Sequence, residues 1–191
     1  MTLKYLFYIV ILSLIFMFIE IHYTIIMINP QLMGIRSIKL NQIIFCLVEL
    51  STFTISGQLI NMFTRKRYLR SMMFLFMLIS ASFYLIKAFS PQKSQNMQIL
   101  ELGLSILTKI FLCLFYGVMY VYMVEIFPTV LRGFAMGVII FIGRLANCAA
   151  AYYSTLSNGM GIHPLSNVGL LALALLPFLL FLPETYNSQL K

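Results

Sequence analysis

Aspartate and tryptophan are both missing from this chain, and charge is scarce: 9% of its 191 residues are charged. Soluble domains run near about 25% charged and about 45–50% apolar. Here the apolar share is 61% and the mean hydropathy is +0.96. A chain of this size cannot hide so many apolar side chains from water, and so few charges cannot coat a globular surface. A soluble domain is excluded, and an all-α integral membrane protein is the expectation.

Other shortages exclude other classes. Cys46, Cys113 and Cys148 each sit inside an apolar run and read as small hydrophobes, not as a disulfide or metal framework. His22 and His163 are too few and too far apart to suggest a metal site. No nucleotide-binding loop, voltage-sensor ladder or potassium-filter sequence occurs, and neither Gly-x-Ser-x-Gly nor His-Glu-x-x-His is present. An enzyme is not expected, and neither is a cofactor. No alanine precedes Ala81, so an Ala-x-Ala cleavage site is absent after the first apolar stretch. The net charge of +8 comes from 13 Lys and Arg against five Glu. Its one dense run, Arg65, Lys66, Arg67 and Arg70, is sandwiched between apolar stretches. Nucleic acid needs a basic face on a water-soluble module, so it is not an expected partner.

What the sequence does contain is apolar runs of membrane-crossing length, roughly 20 residues each. Six qualify: about 4–28, 41–63, 71–89, 99–124, 134–156 and 166–182. Turn and proline signals separate them at Asn29-Pro30, Ser90-Pro91, Pro128, Asn158 through Pro164, and Pro183. Runs such as Leu170 to Leu182 do not alternate, which argues for helices over a barrel. Positive charge orients the bundle. Lys4, Arg65, Lys66, Arg67, Arg70, Arg132 and Lys191 flank one side; Arg36, Lys39, Lys87 and Lys93 flank the other. The heavier side is expected in the cytosol, together with both termini. Residues 1–191 thus read as a single six-helix transmembrane domain.

Three short stretches carry more specific information. Gly57 through Arg67 reads Gly-Gln-Leu-Ile-Asn-Met-Phe-Thr-Arg-Lys-Arg. It resembles the Gly-x-x-x-Asp-Arg-x-Gly-Arg-Arg loop of the major facilitator superfamily, with Asn61 in place of the acid and Thr64 in place of the second glycine. Residues 120–133 read Tyr-Val-Tyr-Met-Val-Glu-Ile-Phe-Pro-Thr-Val-Leu-Arg-Gly. They resemble the Tyr-x-Tyr-x-x-Glu-x-x-Pro-Thr-x-x-Arg segment of the organic cation and anion transporter family. Leu182-Pro183-Glu184-Thr185 is similar to the Leu-Pro-Glu-Thr that closes the last span in that family and in sugar porters. Spacings agree: Glu49 precedes Arg65 by 16 residues, Lys109 precedes Glu125 by 16, and Arg144 follows Arg132 by 12. Arginine at this last position resembles the anion-type members.

The resemblance runs from about 45 to 185 and concerns the carboxyl-terminal half of such a transporter. It implies that the six spans here correspond to spans seven to twelve there. A complete facilitator has two six-helix halves with substrate near the midplane between them. The implied function is transport of small organic ions by alternating access, with anions or zwitterions favoured and the plasma membrane as the setting. The implied partners are the lipid bilayer, the organic ion, and either an amino-terminal six-helix half or a second copy of this chain. A sugar porter-like half is a rival, although such sites use a tryptophan that is missing here. A non-transporting or truncated membrane subunit is another.

Polar residues inside apolar spans are costly and mark the site. Arg144 lies about ten residues into its helix, near mid-bilayer at about 1.5 Å per residue. It is the expected counter-charge for substrate, with Glu49, at similar depth, as its alternative partner. Lys109 either lines the cavity or snorkels toward the outer surface. Glu20 is expected in the cavity or protonated, or else the first span slides so that it nears the outer interface. Tyr120 and Tyr122, two apart, cannot share a helix face, so one meets substrate while the other packs. Tyr116 extends the Tyr120 face. At the cytosolic end, Glu125 and Arg132 are expected to pair with each other and with Arg65, Lys66 and Arg67, forming a gating network.

Overall fold

The computed structural model describes residues 3–28, 38–89, 95–159 and 172–185. Five long helices account for most of them: α1 (Leu3–Ile28), α2 (Ile38–Met62), α3 (Arg65–Phe89), α4 (Gln95–Ile126) and α5 (Thr129–Gly159). A short 3-10 helix, Leu176–Phe181, follows near the end.

Two of the turns are tight for local reasons. Phe63 and Thr64 alone separate α2 from α3, and Phe127 and Pro128 alone separate α4 from α5. Proline removes a helical donor and clashes with the preceding turn, so α4 stops at Ile126. The Pro128 carbonyl then accepts from the amides of Leu131 and Arg132, both at 3.0 Å, which starts α5.

The bundle is organised around α4. Leu112, Phe115, Val118, Met119, Tyr122 and Met123 are sealed from solvent, and α4 touches α1, α2, α3 and α5. The most extensive pairings are α1 with α5 and α2 with α4. Leu12, Ile15, Phe16, Ile19 and Ile25 form the inward face of α1. Phe16 sits edge-on to both Tyr116 and Tyr120, with ring centroids 5.6 and 5.8 Å away. At Gly143, α5 comes so close to α1 that an added Cβ would lie 2.5 Å from the Phe16 ring. A glycine is required there by this approach.

Among the described residues, four helical stretches are long and apolar enough to cross a membrane: Leu3–Ile28, Gln42–Ile60, Ile99–Ile126 and Thr129–Ser157. They fall on the first, second, fourth and fifth expected spans. Helix α3 has 25 residues but opens on Arg65, Lys66, Arg67 and Arg70, and is not among the four. Of the sixth expected span, residues 172–182 are described. Ala172–Phe181 is a shorter apolar helix, with its last part wound as 3-10 around Pro177. Residues 166–171, Asn29-Pro30, Arg36, Ser90-Pro91, Lys93, 160–164 with His163, and Lys191 lie outside the described residues, as do the side chains of Asn61, Lys87 and Asn158.

Candidate functional site

Among the described residues, two ion pairs sit inside the helical bundle, and neither is the one expected. Glu49 on α2 pairs with Lys109 on α4, Oε2 to Nζ at 3.1 Å. Arg144 on α5 pairs with Glu20 on α1, Nη1 to Oε1 at 3.5 Å. The expected contact between Glu49 and Arg144 is thereby replaced. The physical reason is which helices neighbour each other: α2 packs along α4 and α5 along α1, so each carboxylate meets the cation of its own helix partner.

Lys109 does not snorkel. Its side chain is 0% exposed, while that of Glu49 is 25% exposed. Its ammonium lies 4.0 Å from the Tyr23 ring centroid, a cation–π distance that compensates part of its desolvation. The Tyr23 hydroxyl donates to Glu49 Oε1 at 3.4 Å, so three helices converge on this pair.

Glu20 does not slide to an interface. Its side chain is 0% exposed, whereas its partner Arg144 is 60% exposed. Asn147, one turn beyond Arg144, donates Nδ2–H to Glu20 Oε2 at 2.8 Å. Thr24 in turn donates to Asn147 Oδ1 at 2.8 Å. Sequence reasoning missed Asn147, Thr24 and Tyr23. The signal was present for two of them: Asn147 is three residues after Arg144 and Thr24 four after Glu20, each on its partner's helix face.

The two pairs border a common space. Tyr23, Glu49, Phe53, Cys113, Tyr116 and Arg144 line a cavity of about 160 Å³. An enclosed small-molecule pocket runs to roughly 300–1,000 Å³. This one is smaller and has the exposed guanidinium at its edge, which is the shape of one wall of a site. Tyr116 and Tyr120 stack with centroids 5.7 Å apart, both against Phe16. Tyr120 is half-buried here, while Tyr122 points elsewhere and is fully buried. Cys113 is buried, whereas Cys46 and Cys148 are exposed and therefore not packed as core hydrophobes. His22 is wedged between Phe18 and Phe76, with Nδ1 2.9 Å from the Phe18 carbonyl.

A second polar cluster gathers at the α2–α3 and α4–α5 turns. Arg65 reaches Glu125, Nη2 to Oε1 at 3.2 Å, and also donates to the Ile60 carbonyl. Thr185 donates its hydroxyl to Glu125 Oε2 at 2.6 Å. Tyr122 donates to the Pro183 carbonyl at 2.6 Å, and Lys66 Nζ to the Leu180 carbonyl at 2.7 Å. The Lys66 amide donates to Glu184 Oε2 at 3.3 Å. The segment after the 3-10 helix is thus tied across the ends of α3 and α4, a role that sequence reasoning had not given to Glu184, Thr185 or Tyr122. Arg132 is a correction: it does not join Glu125, and its Nη2 instead approaches the Phe127 carbonyl at 3.5 Å. The two-residue turn directs the start of α5 back toward its own preceding loop. Arg67 is exposed. Among the described residues, no group of three or more His, Cys, Asp or Glu is arranged to hold a metal ion.

No family model matches this chain. It is similar to an organic cation transporter-like protein of Drosophila melanogaster, 31% identical over 96 residues. The matched segment is 50% of this chain and 17% of the relative's length. The chain therefore matches less than a fifth of that relative, and its four long apolar helices support a membrane protein.

Proposed function

We propose that these residues form one six-helix half of a facilitator-type carrier for small organic ions, with anions or zwitterions preferred. The other half is an amino-terminal six-helix unit or a second copy. Six spans place both termini in the cytosol, and the plasma membrane is the working location. Substrate sits near the midplane against Arg144, Glu49, Lys109, Glu20 and Tyr120, and alternating access carries it across. The Arg65–Glu125 cluster, with Lys66, closes the cytosolic side in one of the two states.

One observation carries this reading. Arg144 is held at 3.5 Å by a sealed carboxylate and yet leaves 60% of its side chain exposed. A bare charge at mid-bilayer costs at least about 2.5–3.5 kcal/mol against lipid, so the exposed side belongs to a wet cavity or a covering partner. A guanidinium free on one side is a donor fork suited to carboxylates. Binding shifts the conformational equilibrium only as far as substrate prefers one state over the other.

The test is uptake of radiolabelled organic anions and cations into vesicles holding the protein, its Arg144→Ala variant, or neither. Saturable anion uptake that disappears in Arg144→Ala is the expected result. Cation uptake indifferent to Arg144→Ala would overturn the assigned polarity. Uptake no greater than in empty vesicles would rule out a carrier built from two copies of these residues and point to a half that needs its amino-terminal partner.

A further inference from the structure

The first two turns of α3 carry four cations, Arg65, Lys66, Arg67 and Arg70, with no acid in the first turn. This is the electropositive end of the helix dipole, where carboxylates are stabilising and cations are not. Two of the four are held by the protein. Arg65 meets Glu125 and the Ile60 carbonyl, and Lys66 reaches the Leu180 carbonyl while its amide meets Glu184. The same two carboxylates also take up the hydroxyl and the amide of Thr185. Among the described residues, no carboxylate pairs with Arg67 or Arg70, and both are exposed. Orientation in the membrane accounts for cations at this end of the helix, but not for the face they occupy.

That face is continuous. Arg67 and Arg70 lead a line through Phe74, Leu78, Ala81 and Leu85, spaced three or four residues apart as one side of a helix requires. Phe74, Leu78 and Leu85 are 49%, 45% and 52% exposed. Helix α3 packs on α4 and on the 3-10 helix, and this line is turned away from both. Phe74 to Leu85 rises about 16 Å at about 1.5 Å per residue, the depth of one leaflet of a hydrocarbon core of about 30 Å. At the head of the line Met62 and Phe63, beside the arginines on the turn, are exposed as well. Cationic and large apolar side chains mixed at one level suit the boundary between headgroups and acyl chains, not open water.

We propose that this face of α3 seats an anionic phospholipid of the cytosolic leaflet. A phosphate monoester on its headgroup lies between Arg67 and Arg70, and its acyl chains run along Phe74, Leu78 and Leu85. Residues three apart on a helix are surface neighbours, so two guanidinium forks can close on one phosphate. Two uncompensated cations match a phosphate monoester, which is nearly doubly charged at neutral pH. Basic clusters at the cytosolic end of a membrane helix attract such lipids. The inference rests on the orientation proposed above, with the α2–α3 turn in the cytosol, and on no property of the substrate.

The test is retention of defined lipids by the purified full chain. Native mass spectrometry reads it from a detergent solution holding equal amounts of phosphatidylcholine, phosphatidylserine and phosphatidylinositol monophosphate. The last should be retained in preference to the other two. Arg67→Gln/Arg70→Gln should reduce that preference about 30-fold, from the usual worth of two cations at an anionic membrane surface. Lys39→Gln, which removes an exposed cation at the start of α2, should leave it unchanged. Equal retention of the three lipids, a preference that survives in Arg67→Gln/Arg70→Gln, or one lost in Lys39→Gln would overturn the proposal. Detergent gives both ends of the bundle the same access to lipid, so these results do not depend on orientation. Labelling of Arg67→Cys by an impermeant maleimide from outside intact cells would instead refute the cytosolic placement.

Thermal unfolding gives a second readout, with opposite signs. In neutral detergent, Arg67→Gln/Arg70→Gln should melt above the unaltered protein, because two cations leave the positive end of the helix. Added phosphatidylinositol monophosphate should raise the melting temperature of the unaltered protein and not that of the variant. Soluble inositol bisphosphate, which has no chains to lie along Phe74 and Leu78, should raise neither. Equal stabilisation by it would mean a site for free phosphate and would overturn the lipid. A variant that melts below the unaltered protein without lipid would show that the two arginines already have a partner within the fold, and would refute the argument from charge.

Discussion

Gly143→Ala is the substitution whose outcome the packing fixes most sharply. A Cβ at this position would stand 2.5 Å from Phe16 Cδ1, 2.8 Å from Cε1 and 3.2 Å from Glu20 Cγ. Favourable carbon–carbon contacts lie near ~3.5–4.0 Å, so the ring must retreat by about 1 Å. It has nowhere to go. Phe16 is fully buried, and its ring is held edge-on by Tyr116 and Tyr120. Overpacking of this kind costs about 1–3 kcal/mol, and a rigid aromatic met at two carbons belongs at the upper end. Alanine recovers about 1 kcal/mol of helix propensity over glycine. The net expectation is a loss of about 2 kcal/mol.

Gly103→Ala on α4 is the matched control, because nothing lies within 4 Å of its added Cβ. It should gain up to about 1 kcal/mol. The two variants therefore differ by about 3 kcal/mol, or roughly 6–12 °C of melting temperature at about 2–4 °C per kcal/mol for a chain of this size. The assay is thermal unfolding of each purified variant in the same detergent. Phe16→Leu combined with Gly143→Ala should melt above Gly143→Ala alone, because the smaller side chain clears the new methyl. If Gly143→Ala and Gly103→Ala melt together, or if the Phe16→Leu penalty simply adds, the close approach of α1 and α5 is wrong.

Three further outcomes follow from the polar contacts. Lys109→Met strands the Glu49 charge. Because Glu49 is partly exposed, the loss should fall near the lower end of about 3–5 kcal/mol. Lys109→Met with Glu49→Leu should recover most of it, and a double-mutant cycle showing no coupling would dismiss the pair. Tyr122→Phe leaves the Pro183 carbonyl without its donor and should cost about 1 kcal/mol. Backbone amides around 182–185 should then exchange faster with deuterium, and unchanged exchange would show that the strap is held elsewhere. In single-cysteine variants, a membrane-impermeant maleimide should label Cys148, exposed one turn beyond Arg144, and spare buried Cys113. Protection of Cys148 would put lipid or protein, rather than water, against that face of α5.

Helices were legible because each apolar run is long and its ends carry charge or proline. The expected 4–28, 41–63, 99–124 and 134–156 lie within α1, α2, α4 and α5 to within a residue or so. The helices run on into polar flanks such as Gln95 and Thr129, since a helix in this setting ends where its donors find water or a break, not where hydrophobicity stops. The final segment was less legible: Pro177 lies inside an apolar run, and the helix around it tightens to 3-10.

The candidate site was half legible, for a reason that applies to any helical bundle. Cost in an apolar medium singles out Glu20, Glu49, Lys109 and Arg144 from composition alone. Helical rise gives their depth, and periodicity gives their face on each helix. Neither says which helix stands next to which. Depth alone paired Glu49 with Arg144, but α5 lies along α1 and α2 along α4, and the partners follow the packing. The neighbour contacts that fix this order reside in shape, such as the Gly143 gap that admits Phe16 and the Ser56 hydroxyl 3.0 Å from where a Cβ on Gly117 would stand. Small residues let backbones approach in lipid, where no hydrophobic force chooses partners. The charges in this bundle therefore mark the candidate site, while which charge each one meets follows from helix packing such as the close approaches at Gly143 and Gly117.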